Sequence, residues 1–206
     1  MTIKTIFWDI GGVLERTEDL TPRAAAAGQL GLPVDELSRV IFGHVDDYRI
    51  QRGLITLEEH YAKIADALGI SASQVDSVLA AFFGGDQLDL ALVNHIRALK
   101  QDYTTAVISN YMPILRDKIN NLWEIDDAFD ALVVSAEVGV MKPDPEIYQI
   151  ALEKTNTPPR QGVFIDDFVE NVEGARRVGM HAIHFKAAPQ ALEELHELLD
   201  QHRGNH

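Results

Sequence analysis

Asp9 is the residue whose setting most clearly suggests chemistry. It follows the apolar run Ile6-Phe7-Trp8 and enters a turn that contains Gly11 and Gly12. An apolar run that ends in a glycine turn is typical of a buried strand whose backbone amides can approach a phosphate or another anion. No second carboxylate follows two residues later, because that position is Gly11. The turn therefore offers one carboxylate beside a potential anion site, and its chemistry depends on the rest of the chain.

Polar side chains also stand at the ends of later apolar segments, or in the loop that follows one. Ser109-Asn110 ends one segment, Asp166-Asp167 ends another, and Lys142-Pro143 stands a short loop after a third. In a sheet of parallel strands, active sites lie beyond the carboxyl ends of the strands. If these segments are parallel strands, the polar groups are expected to meet Asp9 at one edge of the sheet.

The elements that would position these residues follow from the hydrophobic periodicity. Residues 3–10 are β-rich and continuously apolar, as expected for a central strand that is buried on both faces of a parallel sheet. Residues 15–85 have helical periodicity with no convincing strand, and Thr56-Leu57-Glu58-Glu59 fits a capping box. Beyond residue 85, short apolar strands alternate with helices, near 105–109, 131–134, 162–166 and 181–185. Such alternation indicates right-handed βαβ units on a parallel sheet.

The predicted fold class is α/β, with a Rossmann-like parallel sheet as the core and a small all-helical domain inserted after the first strand. The core would be formed by residues 1–14 and 86–206, and the inserted domain by residues 15–85. A chain of 206 residues with 46% apolar residues is long enough for one substantial core and such an insertion.

Composition excludes several classes of partner. Lys and Arg total 18 against 32 Asp and Glu, and the formal charge of −14 repels nucleic-acid phosphates and anionic membranes. The chain has no cysteine, so disulfides, thiol nucleophiles and cysteine-bound zinc are excluded. No segment has the length of a membrane span, and the first residues lack the features of a leader. We expect a cytoplasmic protein that binds neither nucleic acid nor membranes, as a monomer or a homodimer.

Four motifs, in this order along the chain, resemble those of the haloacid dehalogenase-like hydrolase superfamily. They are the Asp9 turn, Val-Ile-Ser-Asn ending at Asn110, Gly-Val-Met-Lys-Pro-Asp-Pro around Lys142, and Phe-Ile-Asp-Asp followed by Asn171. The resemblance covers the whole chain, and residues 15–85 correspond to the helical cap of that family. The Asp-x-Gly spacing of the first motif is similar to a sugar-phosphatase-like branch, in which glycine replaces the second aspartate of Asp-x-Asp.

The resemblance implies a role for each of these residues. Asp9 would be the nucleophile, since a carboxylate can attack phosphorus and leave a hydrolysable aspartyl-phosphate. Lys142 would neutralise the nucleophile and the developing charge as a compact cation. The phosphoryl oxygens would be held by Ser109 and by the amides of Asn110 and the Gly11-Gly12 turn.

The resemblance also implies Mg2+ as the cofactor. The ion would be held by the Asp9 carboxylate, the Gly11 carbonyl and Asp167, with Asp166 and Asn171 in support, directly or through water. Hard oxygen ligands together with a substrate phosphate suit Mg2+. Without a cation, three carboxylates around one site would repel one another strongly.

Gly11 departs from the pattern of the superfamily's phosphatases, which usually have aspartate at this position. That aspartate protonates the leaving alcohol and then activates water, and glycine can do neither. Metal binding need not suffer, because the position contributes its backbone carbonyl. General acid–base catalysis is typically worth about 10²–10⁴-fold in rate.

Three functions fit the residues. The first, which we favour, is a Mg2+-dependent phosphatase acting on a small phosphorylated metabolite, with a sugar phosphate as the leading substrate class. The second is a 2-haloacid-type dehalogenase, in which Asp9 attacks carbon and the departing halide needs no proton. The third is a catalytically weak relative that binds a ligand or a partner. In the first case, Arg16 or Arg52 is a candidate to meet the outer end of the substrate.

Overall fold

The core of the molecule is a sheet of five parallel strands. The computed structural model describes residues 2–203. The strands lie in the order β5-β4-β1-β6-β7. Their bounds are β1 Thr5–Trp8, β4 Thr104–Ser109, β5 Ala131–Val134, β6 Gly162–Asp166 and β7 His181–His184. The predicted parallel sheet is confirmed, with the first strand of the chain at its centre.

The register of the central strands brings their polar ends to the same level. Trp8 of β1 is paired with Val107 of β4 on one side and with Ile165 of β6 on the other. Asp9 follows Trp8 directly, and the Asp9 amide donates to the Ile165 carbonyl at 3.0 Å. Ser109 and Asp166 are the last residues of the two neighbouring strands. One edge of the sheet therefore carries all three side chains.

Helices cover both faces of this sheet. One face packs against α5 (Leu90–Leu99) and α10 (Ala188–Arg203), through an apolar cluster that includes Ile6 and Trp8. The other face packs against α8 (Pro145–Lys154) and α9 (Val169–Arg177), through a cluster that includes Phe7. Alternate residues of β1 thus point to opposite faces, as the period of two in a strand requires.

Shorter elements complete the core. They are α6 (Leu115–Asp117), which continues as a π-helical turn (Lys118–Leu122), α7 (Ser135–Val138), and 3₁₀ turns at Asp126–Ala128 and Pro159–Gln161. Among residues 2–203, no helix combines the length and the apolar character needed to cross a bilayer.

Four helices lie between β1 and β4 along the chain, and we call them the inserted helices. They are α1 (Thr21–Gln29), α2 (Val34–Ile41), α3 (Leu57–Leu68) and α4 (Ala72–Phe82), with a 3₁₀ turn at His44–Asp46. Their buried apolar residues form two clusters of their own. The predicted capping box is present, because Thr56 and Glu59 each bond the other's backbone amide.

The segment 15–85 differs from the prediction at its start, which is a strand. β2 (Glu15–Thr17) pairs antiparallel with β3 (Asp86–Leu88) in a separate two-stranded sheet, which we call the ribbon. A three-residue strand with polar side chains leaves no hydrophobic period to detect, and its partner lies far along the chain. The helices of the segment 15–85 therefore begin only after β2.

Candidate active site

Asp9 is a buried carboxylate held at the end of β1 by three donors. Its Oδ1 atom accepts hydrogen bonds from the Ile10 amide and from the Ser109 hydroxyl, both at 2.7 Å. Its Oδ2 atom lies 2.8 Å from the ammonium nitrogen of Lys142. Burial is the largest influence on this group, and together with Asp166 it raises the pKa of Asp9 to about 7, against the lowering effect of Lys142.

The ammonium group of Lys142 contacts three groups of the site. Its Nζ atom lies 2.6 Å from Asp166 Oδ2 and donates to the Ile108 carbonyl at 3.0 Å, in addition to its contact with Asp9. The side chain is completely buried and its ammonium lies over the Phe164 ring. Burial alone would lower the pKa of Lys142, but the attraction of Asp9 and Asp166 outweighs it and the pKa is raised. Lys142 therefore remains a cation between two carboxylates.

Asp166 and Asn171 form a rigid support beside this cation. Asp166 accepts from the side-chain amide of Asn171 at 3.0 and 3.1 Å and from the Phe168 amide at 2.8 Å. The Asn171 carbonyl in turn accepts from the Tyr148 hydroxyl at 2.8 Å. Both oxygens of Asp166 thus have donors from the protein, so its carboxylate is fixed in orientation.

Asp167 differs from Asp166 because one of its carboxylate oxygens accepts no hydrogen bond from residues 2–203. Its Oδ1 atom is buried without a hydrogen-bond partner, and its backbone carbonyl lies 2.9 Å from the Nε2 atom of His184. Burial, reinforced by Asp166, raises the pKa of Asp167 to about 6. A buried carboxylate oxygen without a donor is costly, and a bound cation would remove that cost.

The carboxylates of Asp9, Asp166 and Asp167 fit a divalent cation. Each offers an oxygen, and these three oxygens lie within 4.8 Å of one another. Gly12 leaves room for this arrangement, since a Cβ atom added there would overlap the Asp167 carboxylate. An all-oxygen donor set of this kind suits Mg2+. Asp167 offers the free ligand atom, whereas both carboxylate oxygens of Asp166 already accept hydrogen bonds from the protein.

The glycine turn is partly engaged within the protein. The Gly12 amide donates to the Glu15 carbonyl at 2.9 Å, so this amide has an acceptor other than a bound anion. Gly12 has a φ of +80°, whereas a Cβ atom built on Gly11 meets nothing within 4 Å. The Asn110 side chain is likewise occupied, because its amide bonds the backbone of Lys142 in both directions, at 2.7 and 2.9 Å. Asn110 therefore positions the lysine loop.

Sequence reasoning missed a cluster of polar groups next to this turn. The Tyr111 hydroxyl donates to Glu15 at 2.7 Å, and Lys118 Nζ contacts both of these side chains. Burial, reinforced by Glu15, raises the pKa of Tyr111 well above its usual value. Each residue comes from a different element, so no local pattern could have brought them together. The cluster fixes the start of the ribbon beside the Asp9 turn.

The two arginines considered as substrate contacts have different surroundings. Arg16 is engaged within the ribbon, where it donates to Asp89 at 2.8 Å, to Glu18 at 3.1 Å and to the Val13 carbonyl at 2.6 Å. Arg52 makes no side-chain hydrogen bond or ion pair with any of residues 2–203, and its Nε atom is buried. Of the two, Arg52 is the guanidinium available to a ligand.

This arrangement has the properties of a nucleophile site. A carboxylate fixed by donors at one oxygen, next to a buried cation, can present its other oxygen to an electrophile. The structure brings Asp9, Ser109, Lys142, Asp166 and Asp167 together at one edge of the sheet.

Comparison with known proteins gives related hydrolases. Glyceraldehyde 3-phosphate phosphatase of Pyrococcus furiosus is 30% identical over 199 residues, covering 89% of this chain and 81% of that protein. Bifunctional epoxide hydrolase 2 of Rattus norvegicus is 27% identical over 201 residues, which cover 92% of this chain but only 36% of the larger protein. The chain thus spans about a third of that relative's length.

A solved structure agrees with these sequence relatives. A haloacid dehalogenase family enzyme of Bacteroides thetaiotaomicron, in complex with magnesium and inorganic phosphate, superposes with a TM-score of 0.74 and 25% identity. The match covers 90% of this chain and 96% of that one. The model of the haloacid dehalogenase-like hydrolases matches residues 3–179, which include every candidate residue described above. The chain therefore belongs to the haloacid dehalogenase-like hydrolase family.

Proposed function

We propose that this hydrolase is a Mg2+-dependent phosphatase that acts on a small phosphomonoester, with sugar phosphates as the leading class. One observation carries the proposal. Carboxylate oxygens of Asp9, Asp166 and Asp167 lie within 4.8 Å of one another, and the Oδ1 atom of Asp167 is buried without a donor from residues 2–203. A carboxylate oxygen available to a cation, close to the Asp9 nucleophile, suits phosphoryl transfer, because the reacting group is itself an anion that needs a cation.

Asp9 attacks phosphorus in the first step. A new bond forms between its Oδ atom and phosphorus, while the ester bond to the leaving alcohol breaks, which gives an aspartyl-phosphate on Asp9. The Ser109 hydroxyl and the Ile10 amide hold the other carboxylate oxygen, so the attacking atom is fixed in direction. Lys142 keeps its charge next to the nucleophile. In the second step, water attacks phosphorus and releases inorganic phosphate, which restores Asp9.

Attack also depends on the protonation state of Asp9. Burial and Asp166 raise the pKa of Asp9 to about 7 when no cation is present, so attack requires that the proton be removed. A bound Mg2+ ion would supply charge neutralisation for the carboxylates and the transferring phosphoryl group. Asp167 and Asp9 would hold it, and Asp166, fixed by Asn171, would face it as a supporting group.

The leaving alcohol must take its proton from a source other than residue 11. Gly11 has no side chain, and the space around it is open. Solvent can enter that space and donate the proton. Substrates whose leaving group is already a weak base are therefore turned over faster than alkyl phosphates.

A dehalogenase is the second candidate, and Gly11 is its supporting observation. A departing halide needs no general acid, so the missing aspartate costs nothing in that reaction. The open oxygen of Asp167 argues for the phosphatase, since attack on an alkyl halide has no use for a divalent cation. A catalytically weak binding protein has no use for the Asp9–Lys142 pair.

Phosphate and halide release, measured with and without Mg2+, separate these functions. We expect Mg2+-dependent phosphate release from p-nitrophenyl phosphate and from sugar phosphates, with no chloride released from 2-chloropropionate. Asp9→Asn should abolish phosphate release, and Asp35→Asn, which changes an exposed carboxylate of α2, should leave it intact. Chloride release that is lost in Asp9→Asn would instead establish the dehalogenase, and no turnover of either compound would leave a binding protein.

A further inference from the structure

Arg52 is a cation without an ion-pair partner among residues 2–203 of a strongly acidic protein. The formal charge of the chain is −14, yet no carboxylate within residues 2–203 pairs with this guanidinium. Its Nε atom is buried and has no acceptor. Arg23 also has a buried Nε atom without an acceptor among residues 2–203, but its charge is balanced, because Asp86 binds it through both carboxylate oxygens at 2.9 Å. A desolvated N–H group without an acceptor is unfavourable, and an anionic ligand would supply the missing acceptor.

The chain on both sides of Arg52 is fixed. Ile50 is completely buried, and the buried Gln51 side chain donates to the Phe42 carbonyl at 2.8 Å. Gly53 follows with a φ of +65°, and a Cβ atom there would overlap the Ala136 carbonyl. Two backbones thus meet at Gly53, and only glycine permits so close an approach. Arg52 is therefore presented from a rigid position.

That position adjoins the Asp9 edge of the sheet. Ala136 belongs to α7, which begins directly after the last residue of β5. The preceding residue, Ser135, accepts a hydrogen bond from the Tyr111 amide at 3.0 Å. Tyr111 lies two residues beyond Ser109, which is bonded to Asp9. The contact at Gly53 therefore places Arg52 beside the carboxyl ends of β4 and β5, where a substrate would extend from the reacting phosphoryl group.

The segment that leads to Arg52 is held in a strained conformation. Asp47 and Tyr48 have φ values of +59° and +57°. Left-handed conformations at residues other than glycine are unfavourable and persist where the surrounding structure imposes them, most often at ligand sites. The strain is independent of the unpaired guanidinium, and both point to the same segment.

We propose that Arg52 binds a second anionic group of the substrate. This inference rests on the proposed phosphatase function and narrows its substrate class. The preferred substrates are phosphomonoesters that carry a carboxylate or a second phosphate on the carbon skeleton. A guanidinium recognises either group through paired N–H donors.

Matched substrates test this proposal. The pair of 3-phosphoglycerate and glycerol 3-phosphate differs in one carboxylate, and fructose 1,6-bisphosphate offers a second phosphate instead. Wild-type kcat/KM should be higher for at least one of the two probes with a second anionic group than for glycerol 3-phosphate. Arg52→Ala should lower kcat/KM for that probe by about 10–100-fold, the usual range for losing a charge-assisted contact. It should change the value for glycerol 3-phosphate by less than about threefold, and Arg52→Lys should recover part of the loss.

Arg49→Ala is the matched control, because Arg49 is an exposed arginine of the same segment. It removes the same charge and should leave the preference unchanged. Equal losses on both members of the pair, or the same loss in Arg49→Ala, would overturn the proposal. Binding of the same probes to Asp9→Asn, with and without Arg52→Ala, is measured by calorimetry. This measurement distinguishes a failure of the Arg52 proposal from a failure of the phosphatase proposal. If the wild type hydrolyses no phosphomonoester, the phosphatase function fails, while a preference for a second anionic group that depends on Arg52 in this binding assay still supports the Arg52 site. No such preference in either assay refutes it.

Discussion

Replacing Gly11 with aspartate should create the general acid that this site lacks. The backbone offers the space, since a Cβ atom at this position meets nothing within 4 Å and the φ angle is not in the left-handed region. The new carboxylate would stand two residues beyond Asp9, on the same turn. The change therefore adds a proton donor without removing any contact described for the site.

The magnitude of the gain depends on the leaving group. General acid catalysis is worth about 10²–10⁴-fold, or about 3–5 kcal/mol of barrier. That gain applies where the departing oxygen is strongly basic, as in an alkyl or sugar phosphate. p-Nitrophenolate leaves readily without a proton. We therefore expect Gly11→Asp to raise kcat for glycerol phosphate by about 10²-fold and to raise kcat for p-nitrophenyl phosphate much less.

The assay compares Gly11→Asp with Gly11→Asn, which has the same size but no titratable proton. Phosphate release is followed at saturating Mg2+, and the fold is checked by circular dichroism. A gain that appears equally in Gly11→Asn, or equally on both substrates, would show that the effect is not acid catalysis. No gain in a folded variant that still needs Mg2+ would mean that another group already delivers the proton.

Two further predictions concern the packing of the site, and a third concerns the buried His60 of α3. Gly12→Ala should abolish Mg2+-dependent turnover in an activity titration, because its Cβ atom would displace the Asp167 carboxylate. Lys142→Met keeps the volume but removes the cation 2.8 Å from Asp9, so kcat should fall by about 10²–10³-fold at pH 7.5 in the phosphate assay. Burial lowers the pKa of His60 below its usual 6.5, so the unfolded state binds the proton more readily. The contribution of His60 to stability is therefore complete above pH 6.5 and declines as the pH falls towards the folded-state pKa, by at most about 1.4 kcal/mol per pH unit. Urea unfolding between pH 5 and 8 should show this slope in the difference between the wild type and His60→Gln, in which the contributions of the other titrating groups cancel.

The sheet was predictable because its signals are local and repeated. Each parallel strand is a short apolar run, and its polar end residue stands where the run stops, as at Asp9, Ser109 and Asp166. Parallel pairing then brings such ends to one edge whatever the details of the helices. To predict that these residues meet, only the strand assignment and the order of the motifs were needed.

Contacts between distant, polar or irregular segments could not be predicted in the same way. The ribbon strand Glu15–Thr17 is too short to show a period, and the contact of Gly53 with Ala136 depends on how the inserted helices approach the sheet. The engagement of the Gly12 amide by the Glu15 carbonyl likewise depends on the turn's actual course. These contacts decide which hydrogen-bond donors are free. The sequence therefore predicted which residues form the site better than it predicted which of their donors remain available to a ligand.

The ribbon also determines how the inserted helices can move. The chain crosses between the sheet and these helices twice, and both crossings are strands bonded to each other, with Arg16 and Asp89 joined across them. Two crossings that share backbone hydrogen bonds act as one hinge, because sliding or twisting one against the other would break those bonds. Bending of the ribbon as a unit is the remaining freedom. Arg52 would then approach and leave the Asp9 edge along one arc, so a single distance would report the opening of the whole site.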